Sequence, residues 1–281
     1  MKIATFNVNG ITSRLPRVLE WLAEARPDIA CLQELKTSDE TFPRLEIEAA
    51  GYSAVWHGQK GFNGVAVLAR DGGGLAERRR GLPGDPDDTH SRYLEASAHG
   101  VVVASIYLPN GNPQPGPKFA YKLAWFERLI EHAASLVGSE PVLLIGDYNV
   151  VATDGKGDIY NPASWKKDAL LQPESRDAYR RLLAQGWTDA IHTLHEGEPI
   201  YTFWDYFRDR FSRDAGLRID HLLLNAPARS RLREAGVDRA VRGREKPSDH
   251  APAWVEFSSP RARSSAPRAP SRSASRPRSG S

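Results

Sequence analysis

Short apolar runs alternate with amphipathic stretches along most of the chain. Runs at residues 2–6, 28–32, 52–57, 64–70, 92–98, 101–107, 141–146, 218–224 and 251–257 have the length and composition of strands. Phe119, Leu123, Phe126, Ile130, Ala133 and Val137 recur at spacings of four and three, which predicts a helix over 118–137 stopped by Gly138. A second helix is expected from near Leu15, with Pro16 in its first turn, and a third over 175–185 before Gly186. The runs 92–98 and 101–107 are separated only by His99 and Gly100, so they read as an antiparallel hairpin. A hairpin beside helix-linked strands argues for mixed sheets. The expected class is therefore α/β, with two mixed β-sheets packed face to face and helices outside.

Five apolar runs end abruptly in carboxylate, amide or imidazole residues. They are Ile3 to Asn7 and Asn9, Ile29 to Gln33 and Glu34, Pro141 to Asp147 and Asn149, Leu217 to Asp220 and His221, and Lys246 to Asp249 and His250. Ligands of open α/β sheets bind beyond strand ends, so polar residues gathered there mark a site. The similarity of Phe6-Asn7-Val8-Asn9 to Gly146-Asp147-Tyr148-Asn149 suggests related halves.

Bulk properties narrow the picture further. The 281 residues, 40% hydrophobic and 26% charged, suit one large domain. No apolar stretch approaches the roughly 20 residues that span a bilayer. The N-terminal segment turns polar at Asn7, before a signal sequence could form, and Cys31 is the one cysteine, so a reducing cytoplasm is expected. The net charge of +3 is a property of the C-terminal segment. Residues 258–281 hold six Arg, nine Ser, four Pro and no acid; without them 32 basic face 35 acidic residues, a net charge of −3. Such a segment cannot bury enough apolar surface to offset its ordering entropy, so it reads as a disordered tail, either solubilising or holding nucleic acid weakly.

The polar stops carry definite chemistry. Glu34 can hold a hard cation, because Mg²⁺ takes one or two protein carboxylates and fills its other positions with water or phosphate. Asp147 can move a proton and Asn149 can donate to a phosphoryl oxygen, while Gly146 lets the chain pass close to a ligand. His250 is the expected catalytic histidine among eight, with Asp220, otherwise an unpaired charge in an apolar run, as its partner. His221 reads instead as a packed or solvated strand histidine. Tyr107 ends a strand and could stabilise charge on a phosphate. Phe203 and Trp204, beside Arg208, Arg210 and Arg213, suit either a core or stacking against nucleic acid.

Taken in order, Phe6 to Gly10, Leu32 to Lys36, Gly61 to Val65, Tyr107 to Asn110, Gly146 to Asn149, Gly216 to Asp220 and Lys246 to Pro252 resemble the exonuclease III class of the abasic-site DNA endonuclease family. The resemblance runs from Met1 to about Phe257. It implies a four-layered αββα sandwich over residues 1–257 and a Mg²⁺-dependent hydrolase, with Mn²⁺ as a substitute. It implies a duplex DNA substrate carrying abasic sites or blocked or recessed 3′ ends, cut 5′ to the abasic site or trimmed from the 3′ end, and a monomer without a membrane. By position it implies Glu34 as principal metal ligand beside Asn7, Asp147 as proton donor or acceptor, Asn149 as transition-state stabiliser, Tyr107 on the phosphate side and Asp220 paired with His250. Asp249 would hold metal or orient its loop, the metal set would extend to Asp147, Asn149 and His250, and Asn110, Phe203 and Trp204 would meet DNA. The Pro- and Gly-rich stretch 111–117 and the segment 204–217 lie where relatives differ.

Two rival classes remain at this point. A phosphatase of the same superfamily, acting on inositol phosphates or sphingolipids, shares the metal site. A non-catalytic nucleic-acid binder need not retain all of Asn7, Glu34, Asp147, Asn149, Asp220 and His250.

Overall fold

The computed structural model describes residues 1–258, so the tail expected over 258–281 lies, beyond Ser258, outside the described residues. Twelve strands and six α-helices occur among the described residues. In chain order they are β1 (Lys2–Asn7), α1 (Ile11–Ala25), β2 (Ile29–Gln33), α2 (Arg44–Ala49), β3 (Tyr52–His57), β4 (Val65–Arg70), β5 (Ala76–Arg80), β6 (Tyr93–Ala98) and β7 (Val101–Tyr107). They continue as α3 (Pro117–Ala134), β8 (Val142–Asp147), α4 (Pro173–Leu183), β9 (Thr188–Asp189), α5 (Ala190–Leu194), β10 (Asp220–Leu224), α6 (Ala226–Arg229), β11 (Leu232–Val237) and β12 (Ala253–Phe257).

The strands form two six-stranded sheets, ordered β11-β12-β1-β2-β4-β3 and β5-β6-β7-β8-β10-β9. Each sheet contains one parallel pair, β1 with β2 and β7 with β8, and the remaining pairings are antiparallel. A parallel pair needs a crossover, supplied by α1 in one sheet and α3 in the other. This repeated β-α-β unit is the structural counterpart of the two similar Asn- and Asp-bearing segments.

Side-chain alternation builds the layers. Ile3, Ile29, Cys31, Val65 and Val67 of one sheet pack against Leu94, Val103, Leu143, Ile145 and Leu222 of the other. The alternate residues face outward: Ala4, Phe6, Leu32 and Leu68 meet Trp21 and Leu22 of α1, while Val102, Ile106 and Leu144 meet Trp125, Phe126 and Leu129 of α3. The αββα sandwich follows. Burying a Leu- or Phe-sized side chain contributes about 1.5–3 kcal/mol, so three such clusters dominate folding.

Several sequence expectations move. The first helix starts at Ile11, placing Pro16 in its second turn, and the third spans Pro173–Leu183. The long helix ends at Ala134, short of Gly138, and its buried stripe is Phe119, Lys122, Trp125, Phe126, Leu129 and Ala133, one residue off the expected Leu123 and Ile130. Gly146 meets protein rather than ligand: with φ of 153°, a Cβ there would sit 1.9 Å from the Ile106 carbonyl oxygen on the neighbouring strand. No helix among the described residues is long and apolar enough to cross a membrane.

Candidate active site

Inward-facing positions grade from apolar to polar along four strands toward one edge of the sandwich. The series are Ile3, Thr5, Asn7 on β1; Ile29, Cys31, Gln33 on β2; Val103, Ser105, Tyr107 on β7; and Leu143, Ile145, Asp147 on β8. Register aligns the ends, pairing Asn7 with Gln33 and Asp147 with both Tyr107 and Asp220. Beneath the edge runs a buried polar relay joining the sheets. Thr5 Oγ1 donates to Gln33 Oε1 at 3.0 Å, Gln33 Nε2 to Ser105 Oγ at 3.0 Å, and Ser105 Oγ to the Leu32 carbonyl at 3.1 Å. With every member partnered, the relay fixes how the two sheets dock.

The sequence-predicted residues converge on this edge. Asn7 Nδ2 donates to Glu34 Oε1 and to Asp147 Oδ2, each at 2.9 Å, tying a residue of one sheet to a residue of the other. His250 reaches in from the loop before β12: its Nδ1 lies 2.7 Å from Asp220 Oδ2 and its Nε2 lies 3.8 Å from Asp147 Oδ2. The Ser248 hydroxyl positions this loop by donating to the Asn7 carbonyl at 2.7 Å and accepting from the His250 amide at 3.2 Å. Thr202 Oγ1 accepts the Asp220 amide at 3.1 Å, and Asp249 Oδ1 accepts from Asn9 Nδ2 at 3.0 Å. Tyr107 stands at the end of β7 with the Arg92 guanidinium 4.8 Å from its ring centroid.

Asn149 joins the group through a turn rather than an extended end. It lies two residues past β8 in the left-handed region, φ 47°, and its amide donates to Asp147 Oδ1 at 2.9 Å. Its side-chain Nδ2 donates to the Leu108 carbonyl at 2.9 Å, and its Oδ1 accepts from Asn110 Nδ2 at 3.0 Å. Glu34, Asn9 and Lys36 are also left-handed, with φ of 53°, 47° and 53°. Non-glycine residues rarely hold this conformation, and its clustering at one edge marks strain retained at a working site.

Four carboxylates around one imidazole set the electrostatics. Burial raises the Asp147 pKa, the neighbouring Asp220 and Glu34 raise it further, and His250 opposes them; the balance is about 7. Burial alone would lower the His250 pKa, but Asp220, Asp147 and Asp249 outweigh it and carry it to about 10. The carboxylates thus favour the charged imidazole, whose Nδ1 lies 2.7 Å from Asp220, beside an Asp147 carboxyl whose own pKa is raised. Burial also pushes against ionised Glu34, yet Lys36, the Asn7 amide and His250 hold its pKa below the ordinary value. For Tyr107, burial and the charges of Glu34 and Asp147 push the phenol well up, so it stays a proton-bearing donor.

Glu34, with the amide oxygens nearby, forms an oxygen-only donor set. No group of three or more His, Cys, Asp or Glu among the described residues converges as a metal cage, so an ion here would keep most positions for water or substrate. A cation already sits at this spot: Lys36 Nζ lies 2.8 Å from Glu34 Oε2 and 2.6 Å from Asn9 Oδ1. The residues fit a hard divalent ion.

Of the residues expected to meet DNA, Asn110 and the partly exposed Phe203 are at the site, but Trp204 is enclosed and offers no stacking surface. Trp204 is 0% exposed, with its Nε1 donating to Asp214 at 3.1 Å; any Cβ on Gly216 would sit 2.6 Å from that nitrogen. Phe203 stands edge-on to His250, centroids 5.1 Å apart, and braces the ring. Exposed aromatics near the site are Phe62 at 69%, Tyr206 at 47% and Phe207 at 74%. Phe62 belongs to the loop whose Asn63 and Gly64 carbonyls accept from Lys36 and Leu35, and Tyr206 donates to the Pro247 carbonyl at 2.9 Å.

Sequence reading placed Asn9 in a polar stop without giving it a role, and assigned no role to Lys36, Ser248 or Lys122. The first three adjoin polar stops and could have been found there. Lys122 is 0% exposed under the site, and burial lowers its pKa to about 7 against the opposing charges of Asp168 and Asp147. His221, by contrast, is packed as expected. It is buried on the opposite side of β10, 2.9 Å from the Val150 carbonyl, in a network with Arg218 and Asp189.

Residues 4–250 match the endonuclease/exonuclease/phosphatase family. The chain is 35% identical over 270 residues to exodeoxyribonuclease III of Haemophilus influenzae, covering 92% of this chain and 100% of that protein. Two solved structures are similar along nearly their whole length: a 3′ phosphatase from Neisseria, NExo, bound to a product DNA hairpin, and an AP endonuclease from Archaeoglobus fulgidus. The first has a TM-score of 0.86 at 38% identity and the second 0.85 at 36%; each comparison covers 92% of this chain and 99% of the other.

Proposed function

We propose that this chain, which belongs to the endonuclease/exonuclease/phosphatase family, is a DNA repair nuclease that hydrolyses phosphodiesters 5′ to abasic sites in duplex DNA, trims or cleans 3′ ends, or does both. It is a metal-dependent hydrolase of the exodeoxyribonuclease III and AP endonuclease type. Mg²⁺ is the ion the oxygen-only donor set suits best, with Mn²⁺ as a substitute. Full-length similarity to DNA nucleases favours this reading over a phosphatase acting on inositol phosphates or sphingolipids, and over a non-catalytic binder.

The observation that carries the proposal is the convergence of Asn7, Glu34, Asp147, Asn149, Asp220 and His250, drawn from both sheets, at one edge. When bound, a divalent ion on Glu34, with Asn7 and Asp249 nearby, supplies Lewis-acid charge stabilisation to the phosphate. The protein groups do the rest. The His250 imidazolium, steadied by Asp220, and the Asn149 amide donate to the non-bridging oxygens as charge develops on them. The 3.8 Å gap between His250 Nε2 and Asp147 leaves room for a phosphoryl oxygen or water to come between. Asp147, near pKa 7, takes a proton from the attacking water or returns one to the leaving oxygen, and Tyr107 donates from the opposite side.

The DNA-facing surface is assigned to Asn110 and to the exposed aromatics Phe62 and Phe207 in place of Trp204. Residues 1–257 form the catalytic unit and 258–281 an appendage to it. The protein is taken to act as a monomer, and the buried thiol of Cys31, the one cysteine of the sequence, suits a cytoplasmic setting. Product analysis on three substrates tests the reading: an abasic duplex, a recessed 3′ end and a 3′ phosphate, each with and without chelator. Mg²⁺-dependent cleavage of at least one is expected. No product from any of them, with a control nuclease active, would overturn it.

A further inference from the structure

Lys122 is a fully buried amine directly beneath two amides of the site, with the charges of Asp168 and Asp147 favouring its protonated form against burial. Burying an amine is costly unless it is hydrogen-bonded, so the groups that replace water around it have to be good acceptors. Its Nζ donates to the Asn149 carbonyl at 2.5 Å and to the Asn110 carbonyl at 3.1 Å. Those are the two residues whose side chains bond each other, Asn110 Nδ2 to Asn149 Oδ1 at 3.0 Å. The stem is equally confined: a Cβ on Gly111 would lie 2.6 Å from Lys122 Cδ and 3.2 Å from the Ala169 methyl. Gly111, at φ 90°, thus lets the loop after β7 close over the lysine.

Three separate segments meet at this point. The loop after β7 contributes Asn110, the turn after β8 contributes Asn149, and α3 contributes the lysine from the crossover between those two strands. Asn149 is in the left-handed region, a conformation that unaided costs roughly 1–3 kcal/mol and persists only where its surroundings hold it. A cation on its carbonyl is such a hold, and the same cation grips the carbonyl of its side-chain partner.

We propose that Lys122 is a positioning residue: its ammonium locks the carbonyls of Asn110 and Asn149 so that the Asn149 amide is aimed at the reacting phosphate. This rests on the nuclease reading for the reaction, though not for the geometry. Lys122 touches no substrate in this scheme and acts through Asn149.

A double-mutant cycle separates that role from a general structural one. Asn149→Ala should lower kcat by about 10²- to 10³-fold, the usual loss for one oxyanion-type donor. Lys122→Met should lower kcat by about 10- to 100-fold with KM changed by less than about threefold, and Lys122→Arg, which keeps charge and donors, should recover part of that loss. Lys122→Met combined with Asn149→Ala should be no slower than Asn149→Ala alone, because the lysine works through the amide. Multiplied losses, or a Lys122→Met enzyme within about threefold of the parent, would overturn the proposal. Should Lys122→Met fail to fold, Lys122→Gln, which can still bond one carbonyl, carries the same cycle. A second readout needs no activity: the side-chain amide resonances of Asn110 and Asn149 in Lys122→Met should shift and lose exchange protection, and unchanged resonances count against the lock. If the parent protein cuts none of the three DNA substrates, the nuclease reading fails while the resonance test still decides the lock.

Discussion

Asp220 Oδ2 lies 2.7 Å from His250 Nδ1, and the second oxygen of the same buried carboxylate, Oδ1, has no hydrogen-bond partner among the described residues. A carboxylate so placed is committed to one task, holding the imidazole charged and oriented. Asp220→Asn keeps the shape and removes the charge, so the His250 pKa should fall from about 10 and the ring should titrate in the ordinary histidine range. An NMR titration of His250 measures this. Activity at neutral pH should drop by about 10³- to 10⁴-fold, as for orienting carboxylates in other acid–base sites.

The two shifted groups also set how stability responds to pH. His250 has a folded pKa raised above its unfolded value, so its contribution is fully present below about 6.5 and is lost as pH rises toward 10. Asp147 is raised as well, from 3.8 to about 7, so folding favours its neutral form and that advantage fades as pH rises through this interval. In metal-free buffer the melting temperature should therefore fall between about pH 5 and 8. Asp147→Asn should flatten the decline while abolishing cleavage. Parallel melting curves for the two proteins across that range would contradict the assignment.

Chelation should abolish activity, and Mg²⁺ or Mn²⁺ should restore it. Lys36 Nζ lies 2.8 Å from Glu34 Oε2, so a divalent ion on this carboxylate has to compete with the ammonium. Glu34→Gln should weaken Mn²⁺ binding by at least about 10- to 100-fold, read by calorimetry without DNA. Lys36→Met should leave the site open to the ion and raise its affinity; weaker binding would count against the competition.

Exposed and buried aromatics should respond oppositely to truncation. Trp204→Ala should destabilise the fold by about 3–5 kcal/mol, since the indole is wholly enclosed. Phe207→Ala should leave the melting temperature within error and weaken binding to abasic duplex. A DNA-binding defect in Phe207→Ala accompanied by unfolding would remove the distinction.

The six arginines after residue 258 should act through salt-sensitive attraction. Truncation after Phe257 should flatten the plot of log affinity against log salt, by up to about 0.9 for each duplex phosphate that the arginines neutralise. An unchanged slope would make the tail a bystander in binding.

Much of this was legible in the sequence, for a physical reason. Strands buried on both faces read as apolar runs, and where the chain leaves the core its first polar residues are conspicuous; hence Asn7, Glu34, Asp147 and His250 stood out. What periodicity could not show was context. β5, Ala-Glu-Arg-Arg-Arg, is exposed along its whole length and carries no alternation, and β11 is irregular because a bulge lies between Leu232 and Glu234. Trp204 and Phe207 lie in one aromatic cluster, and only the fold, which closes Gly216 against the indole, decides which ring faces water. Lys122 lies one position off the apolar stripe that periodicity predicts for its helix, so nothing in the pattern marked it. Its burial follows from α3 crossing beneath the site.

Because β12 pairs with β1 and carries His250 in just ahead of it, the site is finished by one of the last segments to be synthesised. Asn7 and His250 are brought together from opposite ends of the described residues. A nascent chain therefore holds no complete phosphodiesterase centre until almost all of both sheets is available. Loss of the segment from residue 250 onward removes the imidazole together with the strand that pairs with β1, so the site and the edge of its sheet fail as one unit.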